Sequence, residues 1–157
     1  MNVNNAYAYV NFGMTGTIPL RMADLVFTRD CLVIAVYGRI TPLFGLARGT
    51  PKRSAAAMRR RYEEDGIDGV LVAADEVHRI EYDDVDRIEL YDGGRIAREK
   101  IAVHTGDEPP YAYRIHAPID IPALADALSP VLGESVEIQT GMGFNPRMSI
   151  ARFSVGR

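Results

Sequence analysis

The chain lacks most of the features that would indicate disulfide or membrane chemistry. It has one cysteine in 157 residues, so no internal disulfide bond can form. Cys31 lies inside an apolar run, which predicts a small buried side chain. No apolar stretch approaches the roughly 20 residues that a membrane-spanning helix needs. Residues 1–20 contain no charged side chain, so they lack the basic start of a secretory signal. Asparagines also interrupt the continuous apolar segment that such a signal needs. We therefore expect a soluble cytoplasmic protein.

Recognisable catalytic patterns are also missing. His78, His104 and His116 have no second histidine or cysteine at a metal-ligand spacing. Neither Cys31 nor any serine lies in the sequence pattern of a nucleophile elbow. The glycine pairs are not followed by the lysine that a phosphate-binding loop requires. The sequence thus predicts no catalytic residue, no metal ion and no cofactor, although a small enzyme with a site at the mouth of a barrel stays open as an alternative.

What the chain does have is an uneven distribution of charge. Residues 39–61 contain seven of the eighteen basic residues and no acid, so this segment is +7 and leaves −10 for the remainder of a chain of net charge −3. The basic residues are Arg39, Arg48, Lys52, Arg53, Arg59, Arg60 and Arg61. Twelve acidic residues follow between positions 63 and 92.

This basic segment includes a predicted helix from Ser54, a potential N-cap, to Asp65, before Gly66. Its cations lie toward the N-terminus, where they oppose the helix dipole, so helix stability does not explain them. They favour docking on a protein partner or an anionic membrane surface, and the candidate binding residues are Arg48, Lys52, Arg53, Arg59, Arg60 and Arg61. In the simpler interpretation they solvate a protruding insert and balance the protein's own acidic surface. Nucleic acid is unfavoured, because the acidic remainder would repel phosphate.

Alternating and apolar runs predict a sheet. Asp24–Thr28 and Cys31–Tyr37 flank Arg29-Asp30 as a hairpin, and the second strand, apolar on both faces, should be central and covered. Further predicted strands are Ala6–Phe12, Val70–Ala74, His78–Tyr82, Val85–Tyr91, Glu99–Thr105 and Tyr111–Ala117. A helix from Asp120 to Leu132 follows, with Asp120 as N-cap and Leu124 and Leu128 on its apolar side.

Two stretches carry a resemblance. Leu25-Val26-Phe27-Thr28-Arg29-Asp30-Cys31-Leu32-Val33-Ile34 resembles the opening hairpin of PH-like and GRAM-like domains. Ile80-Glu81-Tyr82-Asp83-Asp84-Val85-Asp86-Arg87-Ile88 is similar to the turn between strands in those families. With the helix at 120–132, the likeness covers about residues 20–133.

The resemblance implies an α+β fold, a PH-like bent antiparallel sheet or small barrel of about seven strands with a C-terminal capping helix. It also implies a non-catalytic binding or scaffolding module. Two departures are apparent. The insert at 39–68 is long for a strand connection, and the loop after the first strand offers only Arg29 for a lipid headgroup. Residues 1–19 would be a strand extension and residues 134–157 a C-terminal extension. These terminal segments could instead build a homo-oligomer.

Overall fold

The computed structural model describes residues 6–16, 20–40, 50–95 and 97–139. Predicted features at 1–5, 41–49, including Arg48, and 140–157 lie outside these residues. The strands are β1 Ala6–Thr15, β2 Leu20–Thr28, β3 Cys31–Ile40, β4 Glu76–Glu81, β5 Arg87–Tyr91, β6 Lys100–His104, β7 Tyr111–Ile115 and β8 Val136–Gln139. The helices are α1 Thr50–Asp65, α2 Ile67–Ala73 and α3 Ile121–Leu132.

The eight described strands form one sheet in the order β4-β3-β2-β1-β7-β6-β5-β8. Neighbouring strands are antiparallel except for β5 and β8, which are parallel. The predicted α+β class is confirmed. The small-barrel alternative is not, because β4 and β8 remain as outer strands and the sheet does not close.

The sheet is strongly bent. The rings of His78 on β4 and Tyr111 on β7 have centroids 5.6 Å apart, although four strand spacings separate β4 from β7. In a flat sheet that separation would be about 19 Å. The concave face therefore encloses a core, to which every strand from β1 to β7 contributes, and Leu124 and Leu128 of α3 pack into it. Asp120 caps α3 as predicted, with its carboxylate accepting from the Ala123 amide at 3.0 Å.

Helices α1 and α2 cover the opposite, outer face of β1–β3. Ala55 and Met58 of α1 pack there with Met22 and Tyr37, and Val70 of α2 joins the same apolar cluster. Beside it lies a smaller buried group of Val26, Cys31 and Val33. The prediction of a buried cysteine is confirmed. The prediction that β3 is covered is confirmed as well, and β3 is an inner strand, next to the edge strand β4.

Two predictions in the insert are wrong. The first helix begins at Thr50, one turn before Ser54, and the predicted strand Val70–Ala74 belongs largely to helix α2. Gly66, with φ of 64°, ends the first helix, and its positive φ suits glycine. Gly69 then packs so closely on α1 that a Cβ built there would lie 2.4 Å from the Arg61 carbonyl oxygen. A short apolar run does not by itself distinguish a buried helix from a strand.

Part of the C-terminal segment extends the sheet. This is one of the arrangements that its alternation of apolar and polar residues allows. Val136–Gln139 forms β8 alongside β5. Among the helices of the described part of the chain, none combines the length and the apolar character needed to cross a bilayer.

Candidate functional site

A buried carboxylate organises the contact between the sheet and α1. Asp24 lies on β2 with no solvent exposure, facing the helices. Its Oδ1 accepts a hydrogen bond from the Tyr37 hydroxyl at 2.6 Å, and its Oδ2 accepts one from the Tyr9 hydroxyl. Asp24 therefore joins β1, β2 and β3 through side chains on one face.

Two more donors come from a distortion in β1. Its register against β2 shifts between Val10 and Gly13, and Phe12 in this irregularity has φ of 64°, which is rare for a residue with a side chain. The Phe12 amide donates to Asp24 Oδ1 at 2.9 Å. Asn11 Nδ2 donates to Asp24 Oδ2 at 2.8 Å and lies 3.1 Å from the Ala55 carbonyl oxygen, so it also links the strand to α1.

Protonation follows from this enclosure. Burial raises the pKa of Asp24, and the four hydrogen bonds that its carboxylate accepts partly offset the rise. Burial and the neighbouring Asp24 charge raise the pKa of Tyr9 and of Tyr37 far above the usual value for a phenol. Both hydroxyls therefore remain donors at neutral pH. The network holds strands and helix together and offers no phenolate to act as a nucleophile.

A cavity of about 310 Å³ opens beside this network. One wall is β1, through Tyr9, Val10 and Asn11, and α1 contributes Arg59, Tyr62 and Glu63. The other wall is the end of β7 and the chain that leaves it, through Ile115, Ala117, Pro118 and Ile119. We call this cavity the β1 slot. Its lining is mixed, as in many ligand sites, with apolar walls and a few polar groups.

Aromatic stacking and one ion pair shape the α1 side of the β1 slot. The rings of Tyr9 and Tyr62 stack with centroids 3.9 Å apart and planes at 13°. Arg59 Nε lies 3.0 Å from Glu63 Oε1, one helical turn away, and both side chains are about 60% exposed. An exposed pair of this kind contributes only about 0.3–0.5 kcal/mol, so a competing ligand can replace either partner.

The structure separates the predicted binding residues. Lys52, Arg53, Arg59, Arg60 and Arg61 are all exposed on α1, and only Arg59 among them lines the β1 slot. With about 100° of rotation per residue, these five side chains spread over roughly 200° of the helix circumference. Arg53 and Arg60 point away from the sheet, and Arg61 lies on the flank nearer α2. They form no single cationic face.

Sequence reasoning missed Asp24, Tyr9 and Asn11. One signal was available, because Asp24 is the only charged residue in the apolar stretch 22–27 and a charge in such a run is seldom left without partners. No sequence pattern indicated that Tyr9 stacks on Tyr62, since the two positions are 53 residues apart in the chain.

A second buried carboxylate lies on the outer face of the other half of the sheet. Glu89 on β5 is 7% exposed. Its Oε1 lies 3.0 Å from Arg87 Nε, and its Oε2 accepts from the Tyr91 hydroxyl and lies 3.4 Å from His104 Nε2. This arrangement pairs the carboxylate with cationic or ionisable nitrogens, unlike that of Asp24.

The three histidines occupy separate places. His78 lies 3.0 Å from Glu76 on β4, His104 lies beside Glu89, and the ring of His116 packs against Phe12 with centroids 5.3 Å apart. Burial, together with the nearby charges of Arg98 and Arg114, lowers the pKa of His116 to about 4. Within the described residues, no group of three or more metal-ligating side chains comes together.

No protein-family model and no curated protein matches the sequence. Among solved structures, the chain is similar to the hSac2 domain from human phosphoinositide phosphatase Sac2. The likeness has 10% sequence identity and a TM-score of 0.43, and it covers 85% of this chain and 75% of that one.

Proposed function

We propose that this protein is a non-catalytic binding module that docks a protein partner through α1 and the adjoining β1 slot. The observation that carries the proposal is the position of Arg59, which belongs both to the basic helix and to the wall of the cavity. The helix is held on its other side by buried Ala55 and Met58. Its cations therefore project from a fixed support.

The charge layout favours a protein over a flat anionic membrane. The basic side chains spread around α1, and Glu63, Glu64 and Asp65 repeat the same directions about one turn later. A planar membrane surface would contact only some of the basic side chains around α1. It would also contact the acidic side chains that lie beside them. A folded or extended protein can follow a mixed surface, and the apolar wall of the β1 slot supplies contacts that lipid headgroups do not use.

A PH-like or GRAM-like architecture is part of the proposal. The order β4-β3-β2-β1-β7-β6-β5 consists of two antiparallel meanders that meet at β1 and β7, and α3 follows the second of them. This order supports the resemblance found in the sequence. In that framework the insert between β3 and β4 is the docking element, and α3 is the capping helix.

Affinity capture tests the docking role. We expect the wild-type chain to recover from a source lysate a partner that Arg59/Arg60/Arg61→Ala does not. The matched control is Arg29/Arg79/Arg95→Ala, which removes three exposed arginines outside the insert and should keep the partner. The purified partner should then bind wild type and control directly, with at least about tenfold weaker binding to the insert variant, or about 1.4 kcal/mol.

Identical recovery by all three proteins would show that the insert is not the docking site. A parallel flotation assay uses vesicles with and without anionic lipid. Binding that depends on anionic lipid, is lost in the insert variant and is not accompanied by any protein partner would favour a membrane surface and overturn the protein-docking proposal.

A further inference from the structure

Strand β1 changes partners along its length. Against β2 it pairs from Ala6 to Thr15, with irregularities. Against β7 the described pairing covers only Gly13 with Ile115 and Met14 with Arg114. Over residues 6–11, the strand pairing described for β1 is therefore with β2 alone. On its other side, where β7 would lie if it were longer, this half of β1 is a sheet edge.

The separation of β1 from β7 has a local cause. The register shift and the positive φ of Phe12 turn β1 at the point where β7 ends. The chain after Ile115 then leaves the sheet toward Asp120 and α3. The β1 slot occupies the resulting gap, with Val10 and Asn11 on one side and Ala117 and Pro118 on the other. It lies where one more strand would lie.

We propose that the β1 slot accepts an extended acidic segment of the partner protein, which adds a strand to the edge of β1 at residues 6–11. The segment would place an aliphatic side chain in the cavity and a carboxylate against Arg59. This inference rests on the proposed function, since it names the part of the partner that is recognised. Adding a strand to a sheet edge is a general mode of peptide recognition, in which main-chain hydrogen bonds give affinity and side-chain pockets give specificity.

Charge complementarity selects an acidic occupant. Lys52 lies two turns before Arg59 on the same side of α1, and no acid precedes Glu63 in the helix. Glu63 also lines the β1 slot, so an incoming carboxylate must displace it from Arg59, and this exposed contact is weak. A second copy of this chain presenting its own β1 edge would bring no acid, because residues 6–11 are Ala-Tyr-Ala-Tyr-Val-Asn.

The test uses a defined probe, a short labelled peptide in which glutamate and valine alternate. Its binding to the full chain is followed by fluorescence anisotropy at low salt. We expect Arg59→Glu, and Ala117→Phe, which fills the slot, each to weaken binding by at least about tenfold. Arg79→Glu, at an exposed arginine outside the insert, is the matched control and should change binding by less than about threefold. Circular dichroism checks that each variant is folded.

Two further measurements address strand pairing. Two peptides are N-methylated at alternate residues, one at the glutamates and the other at the valines. The one whose methylated amides face β1 cannot donate the main-chain hydrogen bonds and should lose most of its affinity, whereas the other should keep it. The alternating lysine and valine peptide should not bind. In wild type, hydrogen exchange at residues 6–11 should slow when the parent peptide is added, a readout that does not depend on any substitution.

The outcomes are separable. If the parent peptide does not bind, if neither N-methylated peptide loses affinity, or if Arg59→Glu and Arg79→Glu are equally damaging, strand addition is wrong. The proposed function still stands if the insert-dependent partner is captured, and both fail if it is not. A concentration-dependent dimer that Ala117→Phe abolishes would identify a second copy as the occupant and would also overturn the inference.

Discussion

Among the described residues, each half of the sheet buries one carboxylate on the outer face, and the two halves surround it differently. In the half formed by β1–β4, Asp24 lies under α1, and the four donors that the structure gives it are all neutral. In the half formed by β5–β8, Glu89 has the Arg87 guanidinium and the His104 ring as neighbours. The first carboxylate is enclosed by phenol, amide and backbone groups. The second also accepts from a phenol, that of Tyr91, but is paired in addition with nitrogen groups that carry or can accept a positive charge.

The difference indicates what each carboxylate does. The donors to Asp24 come from β1 and β3, and removal of Asp24 takes an acceptor from each of the four. The described partners of Glu89 lie on its own strand or the next one, and the Arg87 side chain is 42% exposed and can be solvated instead. Asp24 thus fixes how strands and helix fit together, whereas Glu89 pairs with ionic or ionisable side chains of β5 and β6.

The largest expected effect is that of Asp24→Ala. It leaves two tyrosine hydroxyls, an asparagine amide and a backbone N–H without their acceptor, at about 1–3 kcal/mol for each group that stays buried. We expect the free energy of unfolding to fall by about 3–5 kcal/mol in chemical denaturation. The exposed Asp107→Ala is the control and should stay within about 0.5 kcal/mol of wild type. A loss of less than about 1 kcal/mol would contradict the role given to Asp24.

Glu89→Ala should lower the free energy of unfolding by less, about 1–2 kcal/mol in chemical denaturation. Arg87 can turn to solvent, and removal of one acid relieves the contact in register between Glu89 and Glu137 on β8. A loss equal to that of Asp24→Ala would show that the two carboxylates are equivalent, and the comparison between the halves would fail.

The pH dependence of stability distinguishes the sites further. Because burial raises the folded-state pKa of Asp24 above its unfolded value, the folded protein binds more protons between those two values. The contribution of this group to stability is then full below the unfolded pKa and is lost as pH rises through the folded pKa. The stability of wild type relative to Asp24→Asn should therefore decrease from about pH 4 upward. A difference that stays constant with pH would refute the raised pKa.

Salt should have the smallest effect. At 0.5 M salt the Debye length falls well below the roughly 10 Å that holds at 0.1 M. We expect the destabilisation by Glu89→Gln to shrink by a few tenths of a kcal/mol, since its partner Arg87 is solvent-accessible. The destabilisation by Asp24→Asn should not change, because its four donors are neutral and enclosed. Equal sensitivity to salt in both variants would remove the distinction.

Much of the sheet could be predicted because its signals are local. The turn Arg29-Asp30 between two apolar runs predicts the β2–β3 hairpin, and Asp120 with Pro122 predicts the start of α3. Each depends on residues a few positions apart. The strand predicted at Val70–Ala74 failed because its conformation depends on contacts with α1 and the sheet, which a short apolar run does not reveal.

The candidate site was less accessible to sequence reasoning. The basic residues of α1 were visible as a charge run, and helical spacing gives their spread. Which of them reaches the cavity depends on how Ala55 and Met58 anchor the helix on the sheet. The β1 slot depends on the separation of β1 from β7 near Phe12, and nothing in the sequence marks that residue for a left-handed conformation. Pairings between distant positions decide both features.

The main chain of Phe12 connects the two halves of the sheet. Its amide donates to Asp24 in one half, and its carbonyl oxygen accepts from the His116 amide, at 2.9 Å, just beyond the end of β7 in the other. Neither bond involves the phenyl ring, which packs separately against His116 and the apolar cluster under α1. Proline at this position would break the joint, since it lacks the amide hydrogen and its ring fixes φ at a negative value. A single backbone position therefore couples the two halves of the sheet.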